Sequence, residues 1–148
     1  MSDKDLVQKL REATGGGVME CKKALDEAGG DLDKAIEVLR ARGVERSAKR
    51  AGRETGAGLI YSYVHSEKIG VLVALRAETD FVVRSEPFRE LAKELALQIA
   101  AAGGETPEEV LEQDYIKDGS KKVKDLVTDV ISRTGENIRL NAVARLEL

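Results

Sequence analysis

Leu59-Ile60-Tyr61-Ser62-Tyr63-Val64-His65-Ser66-Glu67-Lys68-Ile69-Gly70-Val71-Leu72-Val73-Ala74-Leu75-Arg76 is where the chain changes its rhythm. Ile60, Ser62 and Val64 alternate with Leu59, Tyr61 and Tyr63. Val71, Val73 and Leu75 then alternate with Leu72, Ala74 and Arg76. Two runs of period two, joined by Ser66-Glu67-Lys68, predict an antiparallel hairpin.

Working outward from the hairpin, helical spacing returns. Ser85 opens a helix with Phe88, Leu91, Ala92, Leu95 and Ile99 on one face, stopped by Gly103-Gly104. Thr106-Pro107-Glu108-Glu109 caps a short helix. Ser120 is expected to open another, with Val123, Leu126, Val127, Val130 and Ile131 as its stripe and Gly135 as its stop. From Ile138 to Leu148 the alternation resumes, with Ile138, Leu140, Ala142, Ala144, Leu146 and Leu148 facing one way. Residues 57–148 therefore read as an α+β core module of three strands with helices on one face. The opposite sheet face would carry Leu59, Tyr61, Tyr63, Leu72 and Val143 among Arg76, Arg139 and Arg145. It is too apolar for a fully wet surface, so either a second buried face or a subunit contact is expected.

Toward the N-terminus, residues 1–43 read as a three-helix bundle. Ser2 and Asp5 resemble a capping box ahead of Leu6, Val7, Leu10 and Ala13. Thr14-Gly15-Gly16-Gly17 turns the chain. Val18, Cys21, Leu25 and Ala28 follow on one face, and Gly29-Gly30 ends the second helix. Asp31 caps a third, with Leu32, Ala35, Ile36 and Leu39 inward and Gly43 as its expected end. Residues 44–56 form a basic linker. Between positions 40 and 53 stand Arg40, Arg42, Arg46, Lys49, Arg50 and Arg53 against the single acid Glu45.

Composition narrows the function. The chain has 148 residues, of which 42% are hydrophobic and 34% charged, with a net charge of −3. That is enough apolar material for a core and too balanced a charge for a disordered chain. The longest apolar run, Val71 to Leu75, is far short of the about 20 residues that span a bilayer, so no membrane association is expected. The charged start is unlike a signal peptide. Cys21 is the one cysteine, which fits a reducing cytoplasm. Its place on an apolar stripe makes it a buried small residue. His65 is the one histidine and stands beside a turn, where it is expected to be exposed. No phosphate loop is present, and Gly15-Gly16-Gly17 follows a helix rather than a strand. These features argue against an enzyme, a metal site, a cofactor or direct nucleotide binding. The basic linker lacks interleaved aromatics, so a solvated helix face is the plainer account and RNA binding the alternative.

Glu78-Thr79-Asp80-Phe81-Val82-Val83 stands out. Phe81 is one of two phenylalanines and sits where a strand hands over to a helix. An aromatic at such a corner either covers its own core or probes a pocket in another protein. Composition and spacing leave both open.

Longer motifs carry a resemblance. Lys9-Leu10-Arg11-Glu12-Ala13-Thr14-Gly15-Gly16-Gly17-Val18-Met19-Glu20-Cys21-Lys22-Lys23-Ala24-Leu25, Gly29-Gly30-Asp31, Glu78-Thr79-Asp80-Phe81-Val82 and Thr134-Gly135-Glu136-Asn137-Ile138 resemble, in order, motifs of the translation elongation factor Ts family. The resemblance implies a cytoplasmic guanine-nucleotide exchange factor that binds elongation factor Tu. The N-terminal bundle would be similar to ubiquitin-associated domains and would grip the partner through Arg11, Val18 and Met19. Thr79, Asp80, Phe81 and Val82 would disturb the partner's magnesium site, with Phe81 as a wedge. Single-module members resemble this chain, and a homodimer through the core module is expected. The chain departs from the family pattern at several points. Val18 stands for a usual methionine, Arg76-Ala77 for Asn-Cys, and Asn141-Ala142 for Arg-Arg. Gln98 stands for a histidine that supplies a second contact, and a helical insertion between Gln113 and Ser120 is missing.

Overall fold

A computed structural model describes residues 2–148. The chain divides into two units, Met1–Lys49 and Arg50–Leu148. The second is built on a three-stranded antiparallel sheet in the order β1-β2-β5, formed by β1 (Ala57–His65), β2 (Ile69–Ala77) and β5 (Ile138–Glu147). The elements between β2 and β5 are α4 (Asp80–Val83), α5 (Glu86–Ala102), α6 (Pro107–Glu112), a two-stranded ribbon of β3 (Asp114–Tyr115) and β4 (Asp118–Lys122), and α7 (Val123–Thr134).

The predicted hairpin forms with Leu59 opposite Leu75, Tyr61 opposite Val73 and Tyr63 opposite Val71. Ser66 and Glu67 both take positive φ, 49° and 59°. That is the turn whose twist matches the flanking strands. Position 58 requires glycine, because a Cβ there would lie 2.7 Å from the Leu75 carbonyl oxygen. The inner sheet face differs from the sequence expectation. Leu59, Tyr61 and Tyr63 pack with Val71, Val73 and Leu75 against Phe88, Leu91, Leu95 and Ile99 of α5. The outward row is Ile60, Val64 and Leu72.

Strand β5 also departs from simple alternation. Ala74 pairs with Ala142 but Leu75 with Leu140, so Asn141 is an extra residue in a bulge. An inserted residue reverses the phase of every side chain beyond it. Ile138 and Leu140 face the core, then Val143 and Arg145 take the inner positions. Ala142, Ala144 and Leu146 turn outward instead of inward. Arg145 is accommodated because its guanidinium donates to the carbonyls of Ile99 and Ala100, both at 3.1 Å, in the last turn of α5. A cation at a helix C-terminus is favourable on charge and on hydrogen bonding.

In the first unit α1 (Asp3–Thr14), α2 (Val18–Glu27) and α3 (Leu32–Arg50) enclose Leu10, Cys21, Ala24, Leu25, Ala35 and Leu39. The capping box at Ser2 and Asp5 is present. Gly43 does not end α3, which continues to Arg50. Good helix formers follow that glycine, and Lys49 pairs with Glu45 one turn back. Gly16 allows a close approach, since a Cβ there would lie 3.1 Å from Cys21 Sγ.

Two side chains in the left-handed region at Ser66 and Glu67 carry a conformational cost of about 1 kcal/mol each. Replacing Ser66-Glu67 by Asn-Gly is expected to raise the melting temperature of the second unit by roughly 4–8 °C for each kcal/mol relieved, as read by circular dichroism. An unchanged or lower melting temperature would contradict the turn assignment.

Candidate functional site

Strand β2 ends at Ala77, and Glu78 and Thr79 turn the chain into the single helical turn α4. Thr79 is its N-cap, with extended backbone, and its Oγ1 accepts a hydrogen bond from the Val82 N–H at 3.4 Å. Ser85 closes the far end. Its hydroxyl donates to the Val82 carbonyl at 2.6 Å, so it finishes α4 rather than capping α5 through its side chain.

Val82 and Val83 of this turn are buried in the main core. Phe81, between them and the cap, is 85% exposed. The alternative that Phe81 covers its own core is therefore excluded. Thr79 and Asp80 are exposed with it. Of the four residues singled out at this corner, three face outward, and Val82 is the anchor that holds them. An unpaired phenyl ring on a capped, core-anchored turn is suited to entering a cavity on another molecule.

A second set lies on the first unit. Val18 and Met19 open α2 and are 50% and 68% exposed. Arg11, in the last turn of α1, donates from Nε to the Gly16 carbonyl at 3.3 Å, which holds it beside the glycine turn. Arg11 and Val18 share the wall of a cleft with Leu6, Lys22 and Gly29. The structure thus brings Arg11 and Val18 together on one wall, while Met19, the next residue of α2, is exposed outside that lining.

Gln98 has a different place from the one expected. It is fully buried in α5. Its Nε2 donates to Gln113 Oε1 at 3.0 Å and to the Asp114 carbonyl at 3.1 Å. Its Oε1 accepts from the Ile116 N–H at 2.9 Å. Gln98 thus docks the β3–β4 ribbon, which occupies the stretch where the insertion is missing. Ser120 lies in that ribbon, and α7 begins only at Val123. The ribbon was not legible in advance because Asp114 to Lys122 are mostly polar and do not alternate.

The same ribbon is held by Tyr115, whose hydroxyl donates to Glu94 Oε2 at 2.7 Å, and by Lys117, which reaches Glu94 Oε1 at 2.8 Å. Burial, with the nearby Glu94 carboxylate, pushes the Tyr115 phenol up to about 12. Burial works to raise Glu94, but the hydrogen bonds from Lys117 and Tyr115 outweigh it and hold the carboxyl below its ordinary value.

The cations of residues 40–53 are largely engaged nearby. Arg42 pairs with Glu27, Arg46 with Glu20 and Arg53 with Glu78, while Arg50 donates to the Ile131 carbonyl. Cys21 is buried, as its stripe position predicts. His65 is exposed, with Nδ1 2.7 Å from the Tyr63 hydroxyl. No helix among the described residues is long and apolar enough to cross a membrane.

The chain thus carries a helical bundle and an α+β unit with an outward aromatic at a sheet end. Residues 78–148 match the family model described as elongation factor TS. The chain is 41% identical to the elongation factor Ts of Thermotoga petrophila over 188 aligned positions, covering 97% of this chain and 94% of that protein. It is 38% identical to the elongation factor Ts of Thermodesulfovibrio yellowstonii, with the same coverage of both chains. A Clostridium botulinum elongation factor Ts is 46% identical over 144 positions, and there this chain spans only 47% of the relative's length. The chain belongs to the elongation factor Ts family and so to the translation elongation factors. The Thermotoga alignment is longer than this chain, which means the relative carries residues that this chain lacks.

Tyr115 supplies a pH test. Its folded value of about 12 lies above the ordinary 10.0, so the folded state holds the proton more tightly. Stability should fall as pH rises from 10 towards 12, where the unfolded chain ionises first. Denaturant titrations across that range should show the phase in the wild type and lose it in Tyr115→Phe. Identical profiles would contradict the assignment.

Proposed function

We propose that this chain is a guanine-nucleotide exchange factor for elongation factor Tu, acting in the cytoplasm and making or breaking no covalent bond. The observation that carries the proposal is Phe81, 85% exposed on a turn whose other apolar residues are buried. Family membership supports elongation factor Tu as the partner. Arg11, Val18 and Met19 grip the partner's nucleotide domain, and Thr79, Asp80 and Phe81 act at the edge of its magnesium site, with Val82 as their anchor. The chain itself needs no cofactor.

The physics is linkage. A factor that prefers the nucleotide-free partner weakens GDP binding by the same factor as GDP weakens its own. Each tenfold gain in release takes about 1.4 kcal/mol off the barrier, and burying one phenylalanine contributes about 2–3 kcal/mol. The ring alone can therefore supply about a hundredfold. Disturbed magnesium coordination and the N-terminal grip supply the remainder. RNA binding through the basic segment has weaker support, since Arg42, Arg46, Arg50 and Arg53 already have partners within the chain.

Release of fluorescent GDP from elongation factor Tu tests the assignment. Phe81→Ala should keep the fold and slow saturated release by about ten- to a hundredfold. Met19→Ala should raise the half-saturating concentration and leave the saturated rate nearly unchanged. Wild-type kinetics in Phe81→Ala would contradict the wedge role.

We further propose a homodimer, with its contact on the outward sheet face rather than on the Leu59, Tyr61 and Tyr63 row, which packs on the core. Ile60, Val64, Leu72 and Leu146 are exposed there, with Ala142 and Ala144 between them. An apolar strip on a pleated face can be self-complementary about a twofold axis. Light scattering should give twice the chain mass of 16.1 kDa, and the mass should drop to that of one chain in a Leu72→Glu, Leu146→Glu variant. A monomeric wild type would remove the dimer from the account.

A further inference from the structure

Two carboxylates flank the Phe81 corner; Glu78 also pairs with Arg53, and neither has a part in the exchange roles above. Glu78 immediately precedes the cap, and its Oε1 accepts the Asn137 N–H at 2.8 Å. Glu136 immediately precedes Asn137. Its Oε1 accepts the Thr79 N–H at 2.9 Å, and its Oε2 accepts the Thr79 hydroxyl at 2.7 Å. Each turn thus lends a carboxylate to the backbone of the other. Asn137 is buried, and its Nδ2 donates to the Arg53 carbonyl at 2.9 Å, which ties down the far side of the 136–137 turn.

The double contact to Thr79 matters most. A hydroxyl has one proton to donate and lone pairs with which to accept. When that proton goes to Glu136, the lone pairs of Oγ1 are left to face the Val82 N–H, which is the capping bond. Glu136 therefore orients the Thr79 hydroxyl for the cap that starts α4. A helix of four residues has too few internal bonds to hold itself. Val82 and Val83 fix it at one end through the core, and Glu136 fixes it at the other through Thr79.

We propose that Glu136 is a positioning residue for nucleotide exchange: by clamping Thr79 it sets the direction in which Phe81 leaves the surface. This rests on the exchange function proposed above. The Arg11, Val18 and Met19 grip governs encounter, so loss of the clamp should lower the rate within the complex rather than the affinity for it.

The chain has no tryptophan, so Phe81→Trp places a single indole at the corner whose time-resolved anisotropy reports the motion of that side chain. In that background Glu136→Ala should enlarge the fast local component, and Glu136→Gln, which keeps one acceptor, should lie between. In the Phe81 background Glu136→Ala should slow saturated GDP release by about tenfold, as expected when a positioned group loses its alignment. The half-saturating concentration should move by less than about twofold. Thr79→Ala removes the clamp together with Thr79's own contact at the partner, so it should slow release at least as much, and adding Glu136→Ala to it should cost little more, because Glu136 acts through Thr79. A lowered melting temperature with wild-type indole motion and wild-type exchange would make Glu136 merely structural and overturn the proposal. Full additivity of the two substitutions would also overturn it. If the indole loosens but the wild-type chain never accelerates GDP release, the exchange function fails, and the positioning role fails with it.

Discussion

A single turn of helix cannot hide three consecutive apolar side chains. Successive residues are separated by about 100° around the axis, so a turn packed on one side must present the remainder to water. In α4 the core takes Val82 and Val83, and Phe81 is forced out. The direction of the ring follows from where the next two valines are anchored, and from the Thr79 cap and the Ser85 closure that keep the turn helical.

The rest of the second unit holds that turn in place. The hairpin delivers Ala77 to the sheet end next to it, and β5 brings Glu136 and Asn137 up to the same edge. Arg145 and Gln98 fasten the two sides of α5, one to its last carbonyls and the other to the β3–β4 ribbon. Polar groups thus fix the orientation of a core that apolar packing alone would allow to slide. The exposed ring is an apolar cost in the free chain that contact with a partner would recover.

Much of this was legible in the residues. The hairpin was readable because alternation and a polar turn agree, and α5 because Phe88, Leu91, Ala92, Leu95 and Ile99 recur at helical spacing. Phe88 is fully buried for that reason. Phe81 has no such companions, so spacing alone left its side open. Misjudged parts have physical causes. The bulge at Asn141 reverses the pattern of β5, so Val143 and Arg145 point inward although the small and apolar Ala142, Ala144 and Leu146 look like core residues. Leu59, Tyr61 and Tyr63 face the core against expectation, because either row of β1 is apolar enough to be the inner one. Gly43 marked a helix end that the following residues override. Gln98 looked like a surface contact, yet its amide is consumed by three internal hydrogen bonds.

The central claim is that the side chain at position 81 enters the GTPase beside its nucleotide. A photoactivatable benzoyl-phenylalanine placed at Phe81 tests it most directly, mixed with nucleotide-free elongation factor Tu and illuminated. The account predicts a cross-link in the nucleotide domain that excess GDP suppresses, because in it GDP and the factor weaken each other's binding. Cross-linking confined to this chain itself, or a cross-link to the GTPase that GDP leaves undiminished, would contradict it.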